Sequence, residues 1–310
     1  MQAMLEASTQ LSWRDINPVF PKAEATLTGT AYFPFDRAAF AQYFSADLSA
    51  RLWQTVSARP DWVQLLHRQK MAIGLVDLSV LARPRVAWIN GQTLMYAASL
   101  PKIGILYAAA QAMEKGQLAE SDALMQDMHD MIRYSNNAAA TRMIDRLGGL
   151  RRVDAALGQS REGFYDSRAG GIWVGKRYAS EGGRDADPLR GMVHTATVEQ
   201  VCRFYYLLAT RQVINEKRSE QMLAALAQPG LYHKFIYTLG SHYPLNRLYR
   251  KSGTWKQWHA DSVLVWGEQA SKRYILVALV EDPNGGAILR ALPPLLEPLL
   301  APPVAVADQN

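Results

Sequence analysis

Tyr96-Ala97-Ala98-Ser99-Leu100-Pro101-Lys102, followed by the mostly apolar run Ile103 to Ala112, decides how the rest of this chain is read. Small residues lead into a serine, and a lysine follows three positions later. The spacing predicts a helix running to about Lys115, where Gly116 can end it. Pro101 suits the first turn, where backbone N–H groups lack a helical partner anyway. Residues three apart share a helix face, so the Ser99 hydroxyl and the Lys102 amine can touch. The hydroxyl then sits at the positive end of the helix dipole, beside an amine that can take its proton once its own pKa is lowered. Ser99 and Lys102 are therefore a candidate activated nucleophile. One Ser-x-x-Lys match arises easily by chance, so other stretches must decide.

The chain has 310 residues, enough for one large domain or two small ones, with 49% hydrophobic and 20% charged residues. No run of about 18 apolar residues exists, so no membrane span is expected. The net charge of +6 is scattered along the chain, which predicts no nucleic-acid partner. The single cysteine, Cys202, excludes an internal disulfide and a thiolate metal cluster. It shares a helical stripe with Val198, Val201 and Tyr205, so a buried, inert thiol is expected. No metal-ligand spacing is visible, and neither metal nor cofactor is expected. The start, Met1 to Glu6, lacks the basic and apolar regions of a signal peptide. That predicts either a cytoplasmic chain or an exported one whose signal has been removed. The sequence leaves the oligomeric state open.

In order, residues 1–35 read as an irregular arm, and Asp36 to Ser57 as one helix ended by Pro60, with another from Trp62 to Gln69. This gives an N-terminal arm and helical extension over 1–64. Met71 to Ser79 and Arg85 to Asn90 read as a hairpin that delivers the chain to Ser99. Leu118 to Asp130 looks helical. Ser135-Asn136-Asn137 then interrupts two helical runs, and such residues favour caps, so the triplet is placed at a helix start with its side chains free. Residues 158–193 are rich in glycine and charge without a period, as either a functional loop or a disordered segment would be. Thr195 or Thr197 caps a helix through Thr210, and a further helix covers Lys217 to Ala227. Arg250-Lys251-Ser252-Gly253-Thr254-Trp255 precedes strands at Ser262–Trp266 and Tyr274–Val280 and a closing helix interrupted by Pro293-Pro294. The tail is 301–310. The class is α+β: one antiparallel sheet of about five strands built from both chain ends, with a helical lobe over about 100–245 inserted between them.

Three elements stand in one order: Ser99-x-x-Lys102, Ser135-Asn136-Asn137 and Lys251-Ser252-Gly253. Over roughly residues 65–300 the chain resembles the serine β-lactamase and penicillin-binding protein superfamily, most closely its class A β-lactamase-like branch, whose motifs are Ser-x-x-Lys, Ser-Asp-Asn and Lys-Thr-Gly. The resemblance implies that Ser99 attacks a carbonyl and is acylated while Lys102 holds or relays the proton. It implies that Ser135 and Lys251 pass a proton to the leaving group. Asn137 would bind the substrate amide, and Ser252 and Thr254 a substrate carboxylate. The N–H groups of Ser99 and Thr254 would form the oxyanion hole. It also favours the bacterial periplasm for an exported chain.

Asn136 stands where the family usually has aspartate, and Ser252 where it has threonine. More consequentially, 158–193 lacks the family's Glu-x-x-Leu-Asn motif, whose glutamate activates the deacylating water. Glu162 is too early in the loop, and Glu181, Asp185 and Asp187 lie where no period places them. Ser135 follows Ser99 by 36 residues, a short spacing that predicts an open site. An alternative parse reads Tyr134-Ser135-Asn136 as the Tyr-x-Asn motif of class C enzymes and related esterases, with Tyr134 as base. Trp255 and His259 flank the third motif and are candidates for the cleft wall, whereas His129, His194, His233 and His242 read as structural or exposed, and Trp173 as core. The expected activity is that of a serine acyl hydrolase acting on an amide, peptide, ester or β-lactam, with weak β-lactam turnover. The alternatives are a true class A-like β-lactamase using an acid from 158–193, or a non-catalytic module that binds peptidoglycan-like peptides.

Overall fold

The structure, a computed structural model, describes residues 11–20 and 37–300. Most of the arm expected over 1–35, and the tail, lie outside the described residues. After a 3-10 turn at Trp13–Asp15, the chain forms α1 (Arg37–Ala41), α2 (Ala46–Ser57) and α3 (Pro60–His67). The single helix expected from Asp36 to Ser57 is thus two. Between them, Ser45 N donates to Val86 O and Val86 N to Tyr43 O, so the chain passes along the sheet edge before Ser45 caps α2 through the Leu48 N–H. Pro60 does not separate two helices but opens α3, where its missing N–H costs nothing.

β1 (Met71–Asp77), β2 (Arg85–Ile89), β7 (Leu248–Trp255), β8 (Trp258–Trp266) and β9 (Arg273–Glu281) make one antiparallel sheet in the order β2-β1-β9-β8-β7. Both chain ends contribute, as expected. Strand residues alternate between two cores. Met71, Ile73 and Leu75 join α2, α3 and the closing helix on one face, while Ala72 and Val76 face the helical lobe. Gly74 is the close-approach point on that second face, because a Cβ there would lie 2.4 Å from Val198 Cγ1 and 2.6 Å from Cys202 Sγ. Cys202 is buried, as its stripe predicted, and burial raises its thiol pKa.

The lobe lies between the short strand β3 (Met95–Tyr96) and β7. It holds α4 (Lys102–Glu114), α5 (Asp122–Arg133), α6 (Asn137–Arg146) and α7 (Leu150–Gln159). Then come the paired strands β4 (Tyr165–Asp166) and β5 (Gly170–Gly171), β6 (Thr195–Ala196), α8 (Val198–Ala209), α9 (Glu216–Leu226) and α10 (Phe235–Leu239). α4 is apolar nearly all round and is buried from Lys102 to Ala110, as such a helix must be. Thr197 is the cap of α8. α11 (Gly285–Leu296) closes the chain and carries Pro293 and Pro294 inside it. The proline pair was expected to interrupt this helix. It does not, and the carbonyl that Pro294 cannot serve, Arg290 O, accepts from the Thr238 hydroxyl at 2.9 Å instead.

Candidate active site

Ser99 does not lie on a helix. It sits in a turn, with Leu100 N donating to Ala97 O, Lys102 N to Ser99 O and Gly104 N to Pro101 O, and α4 begins at Lys102. Ala98 takes φ +52 just before it. No hydrogen bond among the described residues uses the Ser99 N–H, which is therefore available to a ligand. A Cβ on Gly253 would lie 2.7 Å from that nitrogen and 2.2 Å from Ala97 O, so β7 packs directly on the nucleophile turn.

Lys102 is fully buried. Its Nζ donates to Ser135 O and Asn137 Oδ1, both at 2.7 Å, with Ser135 Oγ at 3.4 Å. No hydrogen bond joins the Ser99 and Lys102 side chains, because the helix starts only at Lys102 and the amine bonds the second motif instead. Lys251 reaches the same hydroxyl from β7: its Nζ donates to Ser135 Oγ at 2.9 Å and to Ser252 O at 2.6 Å. Two buried amines thus meet at one serine, and among the described residues no carboxylate is bonded to either. Burial lowers the Lys102 pKa to about 7. Burial and the nearby Lys102 charge hold Lys251 well below the ordinary lysine range.

The second motif divides its labour. Asn136 caps α6 by accepting from Ala139 N at 2.9 Å, so its side chain is not free. Ser135, at φ +56, turns both its carbonyl and its hydroxyl to the amines. The Nδ2 of Asn137 is left for a ligand. Ser99, Asn137, Thr254 and Trp255 line one open cleft of about 950 Å³. Ser252 is buried outside the lining, its carbonyl taken by Lys251. Two candidates fall elsewhere. Tyr134 accepts from Leu11 N at 3.2 Å and packs its ring against Gly230, outside the lining of the cleft that holds Ser99. His259 packs on Gly285 at the start of α11 with both ring nitrogens buried and unpartnered, so it does not line the cleft.

Two residues that sequence reading passed over, Lys234 and Tyr178, and one that it read as structural or exposed, His194, complete the candidate site. Lys234 (φ +54) lies beneath the third motif, its Nζ donating to Gly253 O at 2.5 Å, Thr254 Oγ1 at 2.7 Å and Ala260 O at 3.1 Å. Burial brings its pKa down to about 7. On the opposite side, Tyr178 stacks on His194 with ring centroids 4.3 Å apart, and Lys102 Nζ lies 4.4 Å from the Tyr178 ring centre. Tyr178 donates its hydroxyl to Ala98 O at 3.1 Å. Burial and Lys102 push His194 down to about 4, so it is neutral. Of the ten non-glycine residues with positive φ among those described, Ala98, Ser135, His194 and Lys234 are all here, where backbone strain tends to gather.

The acids of 158–193 are spent elsewhere. Glu162 accepts from Tyr107 and Ile214 N. Asp187 accepts from the N–H groups of Leu189, Arg190 and Met192 and orders its own loop. Neither Glu181 nor Asp185 lines the cleft. Asp154, from α7, fixes the wall by accepting from Val174 N at 3.0 Å. Among the described residues no group of three His, Cys, Asp or Glu could hold a metal ion, and no helix is long and apolar enough to cross a membrane.

A sequence model of the beta-lactamase enzyme family matches residues 124–293. No curated protein matches the sequence. Among solved structures, PBP-A superposes with a TM-score of 0.58 at 16% identity, over 83% of this chain and 95% of that one. A beta-lactamase from Sphaerobacter thermophilus gives 0.57 at 15%, over 80% and 95%. The class A beta-lactamase of the last common ancestor of Gram-negative bacteria gives 0.56 at 16%, over 82% and 97%. At these identities the likeness speaks to the fold alone.

Proposed function

We propose, from the premise that this chain belongs to the beta-lactamase enzyme family, that it is a serine acyl hydrolase working through an acyl-enzyme on Ser99. The observation that carries the reading is the buried Lys102–Ser135–Lys251 hydrogen-bond network, which reaches through Asn137 to the cleft that Ser99 lines.

The neutral Lys102 amine takes the Ser99 proton, directly or through Ser135, as Oγ forms its bond to the substrate carbonyl carbon. The oxyanion that develops is met by the N–H groups of Ser99 and Thr254, where losing one donor costs about 3 kcal/mol. Collapse breaks the bond from that carbon to nitrogen or oxygen. The leaving atom takes a proton from Ser135, which Lys251 resupplies. Water then adds to the ester carbonyl, giving its hydroxyl to the acyl group and its other proton to Ser99 Oγ as the ester bond breaks, and the proton held on Lys102 returns to Lys251 through Ser135. Asn137 Nδ2 donates to the substrate amide, and Thr254 with Lys234 behind it receives the substrate carboxylate.

Glu281 is the one carboxylate that lines the cleft among the described residues, and Lys70 holds it at 2.9 Å. A deacylating water therefore lacks a strong base, and β-lactam acyl-enzymes should persist. A mutant of PBP-A has been solved as an acyl-enzyme complex with penicillin-G, which makes that compound a reasonable probe. Intact-mass spectrometry after mixing with penicillin-G should show a stable adduct that Ser99→Ala abolishes. Rapid turnover would favour a true β-lactamase. Labelling that survives the substitution would rule out Ser99 as the nucleophile.

A further inference from the structure

The cleft carries charge on one wall that acyl transfer does not use. Lys176, Arg177, Arg184 and Arg190 all line it, and all come from the segment that ends at His194. Arg177 pairs with Asp145. Lys176, Arg184 and Arg190 form no salt bridge among the described residues, and the lining acid, Glu281, is held by Lys70. The wall is fixed. Lys176 and Arg184 face each other in an antiparallel bridge, Asp185 N donates to Gly175 O at 2.8 Å, and Asp187 grips the Arg190 N–H at 3.0 Å.

Ser99 stands between this wall and the third motif. Ala97 N donates to His194 O at 2.7 Å, which ties the nucleophile turn to the cationic wall. Gly253 presses on Ala97 O and Ser99 N from the other side, next to Thr254 and the buried Lys234. A substrate spanning the cleft therefore meets positive charge at both ends, with its carbonyl in the middle.

We infer that the site is built for acyl donors bearing two anionic groups, one directed to Thr254 and Lys234 and a second, on the far side of the scissile carbonyl, directed to Lys176, Arg184 and Arg190. This rests on the acyl-transfer reading. The matching chemistry is a peptide or amide with a free terminal carboxylate and an acidic group in its acyl half. The rim cations are solvated, so a substrate without the second charge is still accepted but arrives and binds less well, and the preference fades with salt.

Benzylpenicillin and α-carboxybenzylpenicillin differ by one carboxylate in the acyl half and form a matched pair of probes. At low ionic strength, Ser99 acylation followed by intact mass should be roughly tenfold faster for the dianion. The advantage should disappear at about 0.5 M salt and invert in the triple variant Lys176→Glu, Arg184→Glu, Arg190→Glu. Binding of both compounds to Ser99→Ala, read by tryptophan fluorescence, should show the same preference without any chemistry. Equal acylation and equal binding, or a preference that survives the triple variant, overturns the inference and leaves acyl transfer standing. No adduct from either compound, with tighter binding of the dianion to Ser99→Ala, keeps the second anion site and overturns acyl transfer. Neither adduct nor preference overturns both.

Discussion

Gly253→Ala isolates the contact between the third motif and the nucleophile turn. The φ of Gly253 lies outside the left-handed region, so alanine meets no torsional objection, and the effect is steric. Its methyl carbon would stand 2.2 Å from Ala97 O, 2.7 Å from Ser99 N and 2.9 Å from Leu100 N. All three are backbone atoms, so no side chain can swing aside. Restoring an ordinary contact of about 3.4 Å to Ala97 O requires β7 and the turn to part by roughly 1 Å, a displacement that costs about 10²-fold when it falls on catalytic geometry. The parting also moves the Ser99 N–H away from the oxyanion position, which in comparable sites costs about 10²–10³-fold. The assay is the second-order rate of Ser99 acylation by penicillin-G under intact-mass detection, with thermal unfolding in parallel. We expect acylation to fall by at least about 10²-fold and stability by about 1–3 kcal/mol, the usual range for overpacking. A folded Gly253→Ala protein that acylates within about threefold of the unsubstituted chain would refute the proposed role of this contact.

Tyr178→Phe keeps the stack on His194 but loses the hydrogen bond to Ala98 O, whose peptide unit carries the Ser99 N–H. Loss of about 1 kcal/mol should slow acylation about fivefold with little change in melting temperature, and an unchanged rate would show that the turn holds itself. Lys234→Met should raise the substrate concentration for half-maximal acylation about tenfold and spare the limiting rate, if that cation serves binding. With Lys102 pushed down to about 7, the neutral amine is lost below that pH, so acylation should rise through about pH 7 and level off above it; a flat profile from pH 5 to 9 would exclude this lysine as base. Because the unfolded lysine holds its proton up to about 10.5 while the folded one releases it near 7, the unfolded state binds more protons in that window. Stability measured in denaturant should therefore climb with pH between about 7 and 10.5, and Lys102→Met should lessen the climb without abolishing it, since Lys234 and Lys251 are lowered too.

Much of the candidate site was legible because its motifs are local in sequence. Ser99 and Lys102, Ser135 and Asn137, and Lys251 with Gly253 each stand within three residues of a partner, and the β-prone apolar runs in Met71–Ser79 and Tyr274–Val280 announce the sheet that carries the third group. What sequence spacing could not give is contact across the fold. Lys234 is one lysine in an irregular stretch, and its role appears only when it is found beneath Gly253 and Ala260. Tyr178 and His194 lie in a loop without a period, and their stack forms because Asp154 and Asp187 bind backbone N–H groups there. The one-helix reading of Asp36 to Ser57 failed because helical spacing continues through Phe44, while the sheet edge competes for the backbone at Tyr43 and Ser45. Pro293-Pro294 misled because the compensating hydroxyl, Thr238, lies 52 positions from the carbonyl it serves.

The electrostatics of the cleft follow from how few acids it holds. Lys102, Lys234, Lys251 and Arg250 are all buried close to the third motif. The one buried carboxylate among them, Asp261, is committed to Arg250 at 2.6 and 2.8 Å and to the N–H groups of Phe235 and Ser262. The lysines are left with hydroxyls and carbonyls, which bond an ammonium without neutralising it. Lys102 and Lys234 therefore make Lys251 easier to deprotonate, burial does the same for Lys102 and Lys234 themselves, and together they favour negative charge on whatever enters the cleft. The same arrangement that prepares an amine to take the Ser99 proton thus also attracts an anionic acyl donor. Among the described residues it leaves no unpaired carboxylate at the cleft to draw a proton from water, so on the proposed reading fast acylation and slow release would share one electrostatic cause. Introducing a carboxylate beside Lys102, for example by Tyr178→Glu, should then raise the Lys102 pKa, slow acylation at pH 7 and speed release of the penicillin adduct. Slower acylation without faster release, in a folded variant, would separate the two effects and show that water access, not base strength, limits turnover.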